Sequence, residues 1–228
     1  MNAPDFSLLN EAGLNLQAIF NIDAMPPELK DDLRQRFDPE HRYRQLILIG
    51  HGGKAMWAAM KAAGVAAEHP IDQFSLATTE RWLGGLPHAI VYPAETSVGL
   101  QALGKLAGWH HASPFMVGIN EIWGSWYAYR VVLLTASDFV PTPPQVTVSP
   151  CTRCQDKPCV AACPAGALNG DAFDLQKCIA YRKTPASRCK ATCVARITCP
   201  VASDHRYSEE QIAHTYSISM RMIERYYG

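Results

Sequence analysis

The chain has 228 residues, is 48% hydrophobic, and balances 21 Lys and Arg against 21 Asp and Glu. Its pI near 7.1 gives no bulk attraction to nucleic acid or to an anionic membrane. No stretch reaches the roughly 18 apolar residues of a membrane helix, and residues 1–30 lack the basic-then-apolar order of a signal peptide, so a cytoplasmic protein with no membrane partner is expected.

In chain order, residues 5–12 predict a helix that stops at Gly13, and the alternation over 14–22 predicts a strand. Met25-Pro26-Pro27 breaks the chain, and Glu28 to Arg36 predicts a polar helix. Gln45 to Gly50 reads as a buried strand. His51-Gly52-Gly53-Lys54 then turns into a helix over 54–67. The turn does not meet the G-x4-G-K-[ST] pattern, so it reads as a tight turn rather than a phosphate loop. A helix over 70–83, a strand over 87–92 and a helix over 96–107 follow. Strands are predicted over 114–119 and 125–135. Five strands interleaved with helices make an α+β or layered α/β domain over 1–140.

Prolines at 141, 143, 144 and 150 mark 141–150 as a linker, because proline neither continues a helix nor joins a central ladder. Near the far end, Ser208-Glu-Glu-Gln211 is a capping box opening a final helix within 204–228. Ile212, Tyr216, Ile223 and Tyr227 give that helix one apolar face.

All eight cysteines lie between 151 and 199. The spacing is Cys151-x2-Cys154-x4-Cys159-x3-Cys163-Pro164, then Cys178, then Cys189-x3-Cys193-x5-Cys199-Pro200. Eight thiolates are what two [4Fe–4S] clusters need. The first run follows the bacterial ferredoxin order with two extra residues between the second and third cysteines. In that two-cluster pattern the fourth cysteine serves the other cluster. One cluster then takes Cys151, Cys154, Cys159 and Cys199, and the other takes Cys163, Cys178, Cys189 and Cys193. Two zinc sites would use the same count, whereas the Cys-Pro pairs and the x3 spacing favour iron–sulfur. Over 151–199 eight Lys and Arg face three Asp, a charge of +5 that suits bound anionic clusters. A module over 151–203 is expected to move single electrons.

From Leu103 to Pro200 the chain resembles epoxyqueuosine reductase and, more distantly, the reductive dehalogenases. The resemblance is carried by Ala107-Gly108-Trp109, Gly118-Ile119-Asn120, Gly124-Ser125-Trp126, Leu133-Leu134-Thr135, Ser149-Pro150-Cys151, the PCVAACPAGAL run from Pro158 and the DLQKCIAYR run from Asp174. It implies a cobalamin-binding domain on a nitroreductase-like sheet scaffold, followed by a ferredoxin-like module with two [4Fe–4S] clusters. It also implies an electron donor such as ferredoxin or flavodoxin, and a small-molecule cofactor or substrate. Trp109, His110 and Trp126 become candidates for cofactor binding. Tyr92, with Glu95 beside it, stands near the place of the family's catalytic acid, and a tyrosine is the proton donor in the dehalogenase branch. The chain departs from the family in having His110-His111-Ala112 where the family has Gly-Lys-Asn after Gly-Trp. Family members are also longer, with a helical-repeat part that handles tRNA, so a nucleic-acid partner is not expected here.

Overall fold

The computed structural model describes residues 2–94, 98–143, 145–169 and 172–227. The chain forms two compact units, one of residues 1–108 with 127–146, the other of 109–126 with 147–228. Residues 109–126, expected in the first domain, thus group with the cysteine region.

The first unit is built on a four-stranded antiparallel sheet of β1 (Leu16–Asn21), β2 (Gln45–Gly52), β3 (His88–Tyr92) and β4 (Tyr127–Thr135), in the order β1-β2-β4-β3. The central strand β2 is buried along its whole length, which is why it reads as a continuous apolar run rather than an alternation. Helices α1 (Ser7–Glu11), α3 (Ala55–Ala62) and α4 (Pro70–Leu83) lend Leu9, Met56, Met60, Ile71 and Leu83 to one core with Ile47, Ile49, Val131 and Leu133 of the sheet. The alternate sheet residues Leu46, Leu48, Val132 and Leu134 are equally buried. Helix α2 (Pro27–Phe37) ends at the buried Asp38, whose carboxylate accepts from Arg34 and from the amides of Arg42 (2.8 Å) and Tyr43 (3.2 Å). Helix α5 (Leu100–Leu106) packs so closely that a Cβ on Gly104 would meet the Tyr129 hydroxyl at 1.9 Å.

Two register shifts interrupt the ladders. One lies between Ile49 and Gly50 of β2 and makes Arg130 the unpaired residue of β4; the other lies between Ile90 and Tyr92 of β3. The first residue of β2, Gln45, is buried and fully hydrogen-bonded. Its amide donates to Asn21 Oδ1 and Phe139 O, and its carbonyl accepts from Ser137 Oγ and the Phe139 amide. The proline tract begins pinned to the sheet: Thr142 N donates to Ile19 O, and Ile19 N donates to Thr142 Oγ1, along the outer edge of β1.

The second unit holds the predicted strand over 114–119, and here the expectation fails. Phe115, Val117 and Ile119 alternate in sequence, but Met116 adopts φ +63° and its amide closes a turn onto Ser113 O. Only an isolated bridge forms, between His111 and Ile119. The alternating residues instead enter the core around the cysteines. The rest of this unit comprises α6 (Pro158–Ala161), the short hairpin β5 (Leu168–Asn169) and β6 (Ala172–Phe173), α7 (Leu175–Lys183), α8 (Val194–Thr198) and α9 (Glu209–Tyr227). Ser208 caps α9 as its sequence demands, its Oγ accepting from Gln211 N at 3.2 Å. No helix among the described residues is long and apolar enough to cross a membrane.

Candidate functional site

Most of the cysteines sit where the local sequence forces a turn. Cys151 lies in a tight 3-10 turn opened by Pro150, and Ser149 Oγ accepts from its amide at 3.3 Å. Lys157, at φ +38°, turns the chain into α6, which carries Cys159 behind Pro158. Cys163 follows that helix and is turned away by Gly166 at φ +58°. Cys178 rides on α7, whose N-cap Asp174 accepts from Lys177 N. Cys193 and Cys199 bracket α8, one at each end. Cysteines from both halves of the run border one apolar core with Phe115, Ile119, Leu168 and Ala195.

The thiols influence one another in two groups. Burial pushes Cys151 and Cys159 up, and the next cause for both is the nearby Cys199, with Cys154 adding to it. Cys199 is raised by burial and then by Cys154. Cys178 is pushed up to about 11 by burial, with Cys193, Cys163 and Cys189 adding to it and Arg182 opposing. Burial raises Cys193 too, with Cys189 and Cys163 adding to it. The first group is therefore Cys151, Cys154, Cys159 and Cys199, and the second is Cys163, Cys178, Cys189 and Cys193. All four of the second group line a cavity of about 270 Å³ with walls from α7 and α9. No three His, Cys, Asp or Glu side chains among the described residues stand close enough to hold a single metal ion.

Two buried arginines face these thiols. Arg182 donates from Nε to Cys189 O (3.0 Å), from Nη1 to Ser219 Oγ (2.9 Å) and from Nη2 to Tyr216 O (3.3 Å), and lies over the Tyr216 ring. Arg196 donates to Ser125 O and Oγ, and covers the Trp126 ring at 4.4 Å and the Tyr207 ring at 5.3 Å. Its charge opposes the rise at Cys193. Arg182 closes the DLQKCIAYR run from Asp174, whereas Arg196 lies in none of the quoted motifs; both contribute to the +5 charge of the segment.

The segment 109–126 clasps α8. Asn120 Nδ2 donates to Trp109 O, and Asn120 Oδ1 accepts from Trp123 N. Gly124, at φ +57°, lies where a Cβ would approach Val201 O to 2.3 Å, just beyond Cys199. Trp126 is fully buried: Arg196 and Arg206 cover its ring and Tyr207 meets it edge-on at 5.4 Å. It packs as a core residue among these three side chains. Trp109 and His110 are also buried. The neighbouring His111 is held by Thr147 Oγ1 at 2.9 Å.

In the sheet unit, Tyr92 ends β3 half-buried. Burial raises its phenol, Arg130 opposes that rise, and Asp72 adds to it. Arg130, re-aimed by the bulge, donates from Nε to Nδ1 of the fully buried His51 at 2.9 Å. Tyr92, Arg130 and His51 thus form one polar group on the sheet. Glu95, the other candidate acid, lies outside the described residues. The turn after β2 is occupied by Asn15, which accepts from Gly52 N at 2.8 Å, so that amide is not presented to a phosphate.

An α+β chain that pairs an antiparallel sheet unit with a unit holding two groups of four thiols is thus defined. No protein-family model matches its sequence, and no curated protein matches it either. Among solved structures the chain is similar to epoxyqueuosine reductase. The Bacillus subtilis structure, with its catalytic loop swung out of the active site, aligns with a TM-score of 0.52 at 16% identity over 89% of this chain and 66% of that one. The Streptococcus thermophilus structure aligns at 0.48 and 14% over 86% and 64%. A third, solved with an epoxyqueuosine-modified stem loop of tyrosine tRNA, aligns at 0.48 and 16% over 90% and 67%. The chain spans just under two thirds of the length of the first two. The resemblance read from Leu103 to Pro200 therefore extends, at the level of fold, over most of the chain.

Proposed function

We propose that this protein is an iron–sulfur oxidoreductase whose second unit holds two [4Fe–4S] clusters and passes electrons to a cofactor or substrate of the sheet unit. The observation that carries this reading is the separation of eight thiols into two groups of four, with Cys163 and Cys199 exchanged between the halves of the run. That exchange is the bacterial two-cluster ferredoxin arrangement. A mononuclear tetrathiolate zinc site draws its sulfurs to within roughly 4 Å of one another, given Zn–S bonds of about 2.3 Å. The Cys-Pro pairs at Cys163 and Cys199 and the x3 spacing before Cys163 favour the iron–sulfur body over such a site.

When bound, the clusters supply one-electron transfer and no bond chemistry. The chain's own residues set the conditions. The apolar walls of Phe115, Ile119 and Leu168 exclude water. Arg182 and Arg196 place positive charge beside the second group. Tyr92, kept protonated by burial and poised beside Arg130, is the proton source we assign to the reduction in the sheet unit. The sheet unit is read as the nitroreductase-like scaffold and the electron donor as a ferredoxin or flavodoxin. A corrinoid is the acceptor that the resemblance over Leu103 to Pro200 implies. Anaerobic protein with its clusters assembled is titrated with cobalamin and followed by visible absorbance. A saturable shift supports a corrinoid acceptor. Unchanged spectra remove the corrinoid and leave the electron-transfer role.

A further inference from the structure

Helix α9 separates two features. One face, with Tyr216, Ser219, Ile223 and Tyr227, lines the cavity that also holds Cys163, Cys178, Cys189 and Cys193. The neighbouring face, with Ser217, Met220, Arg221 and Glu224, lines a surface groove of about 420 Å³. Across that groove stand Lys183, the last residue of the Cys178 helix, and Lys190, which follows Cys189. The groove thus carries three cations against one carboxylate, and all four side chains are exposed. Lys183 is tied to Tyr227 O at 2.7 Å, while Lys190 and Arg221 make no ion pair among the described residues. Met220 gives the groove an apolar side chain, and Tyr227, whose carbonyl holds Lys183, is 48% exposed.

A basic rim beside an exposed tyrosine and a half-buried methionine is the composition of a protein-docking patch. Electron transfer falls steeply with distance, and α7 and α9 line both the groove and the cavity that holds the four thiols. We propose that this groove docks an acidic one-electron carrier protein and is the electron entry to the cluster held by Cys163, Cys178, Cys189 and Cys193. The inference rests on the two-cluster reading above. One electron leaves the reduced carrier, which is oxidised by one equivalent, and one electron enters the cluster. No bond is broken and no proton moves.

The test uses the full chain with clusters assembled and a reduced acidic [2Fe–2S] ferredoxin as the probe, mixed anaerobically in a stopped-flow spectrometer. Reduction by dithionite is followed in parallel, because it reports the clusters without docking. Wild type is expected to take electrons from the ferredoxin at a rate that falls as salt rises. The double variant Lys190→Glu/Arg221→Glu is expected to lose about tenfold or more in that rate at low salt and to lose its salt dependence. Its iron content and dithionite reduction should remain. Glu224→Lys is expected to raise the ferredoxin rate. The K190E/R221E change should weaken ferredoxin binding measured by calorimetry in the same proportion. Equal ferredoxin rates in wild type and both variants, with clusters intact, would overturn the groove. So would variants that lose affinity for an RNA stem loop while keeping the ferredoxin rate, which would make the groove a nucleic-acid site. Absent iron in wild type would instead overturn the two-cluster reading itself.

Discussion

Arg182 gives the most quantitative handle on the second cluster. Its guanidinium is buried, its Nε lies 3.0 Å from the carbonyl of Cys189, and its charge acts directly on Cys178. Removing the charge by Arg182→Gln leaves the cluster more negative in its surroundings, so reduction becomes harder and the potential falls. A unit charge taken at about 8 Å from a bound cluster, at an effective dielectric of about 20, would contribute about 2 kcal/mol. For one electron that is a shift of about 90 mV, since roughly 59 mV is a factor of ten. Burial keeps solvent screening small. Arg182→Lys keeps the charge but loses the planar fork that reaches Ser219 and Tyr216 together. It should therefore restore most of the potential and little of the stability. The assay is a redox titration followed by electron paramagnetic resonance, with melting curves beside it. A potential for Arg182→Gln within about 10 mV of wild type would refute the electrostatic argument.

Three further predictions follow from the packing. Gly124→Ala puts a Cβ 2.3 Å from Val201 O in a left-handed conformation, so it should destabilise the second unit by about 2–4 kcal/mol and lower iron at the Cys199 group first; melting curves and iron per chain check it, and full iron with an unchanged melting point contradicts it. Gln45→Met leaves the Phe139 amide and carbonyl without their buried partner and should cost about 2–4 kcal/mol in urea unfolding; a cost below about 0.5 kcal/mol would show that water replaces the amide. Burial raises the Tyr129 phenol to about 12, above its ordinary 10. The stability this brings is complete below pH 10 and is lost as pH rises from 10 through 12, so Tyr129→Phe should flatten the fall in melting temperature above pH 10. Parallel falls in the two proteins would show that Tyr129 does not contribute.

Local pattern reveals much of the sheet unit. The helix over 70–83 is observed at those residues, because Pro70 opens it and Gly84 ends it at φ +58°. Strand β2 announces itself by its apolar run, and α9 by its capping box. The helix expected over 54–67 ends at Ala62 instead, where Gly64 takes φ +63°. The 114–119 misreading has a physical cause: alternation is a signal of one buried face, and a folded loop against a cysteine core buries one face too. The bulge at Arg130 depends on register between strands distant in sequence, so no local window shows it. The burial of Arg182 and Arg196 is not legible in the sequence, because a buried cation and a surface cation look alike there. The environment of Trp126 is hidden for the same kind of reason: an aromatic in a motif lines a pocket or fills a core according to what packs on it, here Arg196, Arg206 and Tyr207.

The central claim is that the two thiol groups hold two [4Fe–4S] clusters. It is tested most directly by iron and acid-labile sulfide per chain in anaerobically prepared protein. The account predicts about eight of each and a brown, broadly absorbing sample. A colourless protein with about two zinc ions per chain and no sulfide would contradict it.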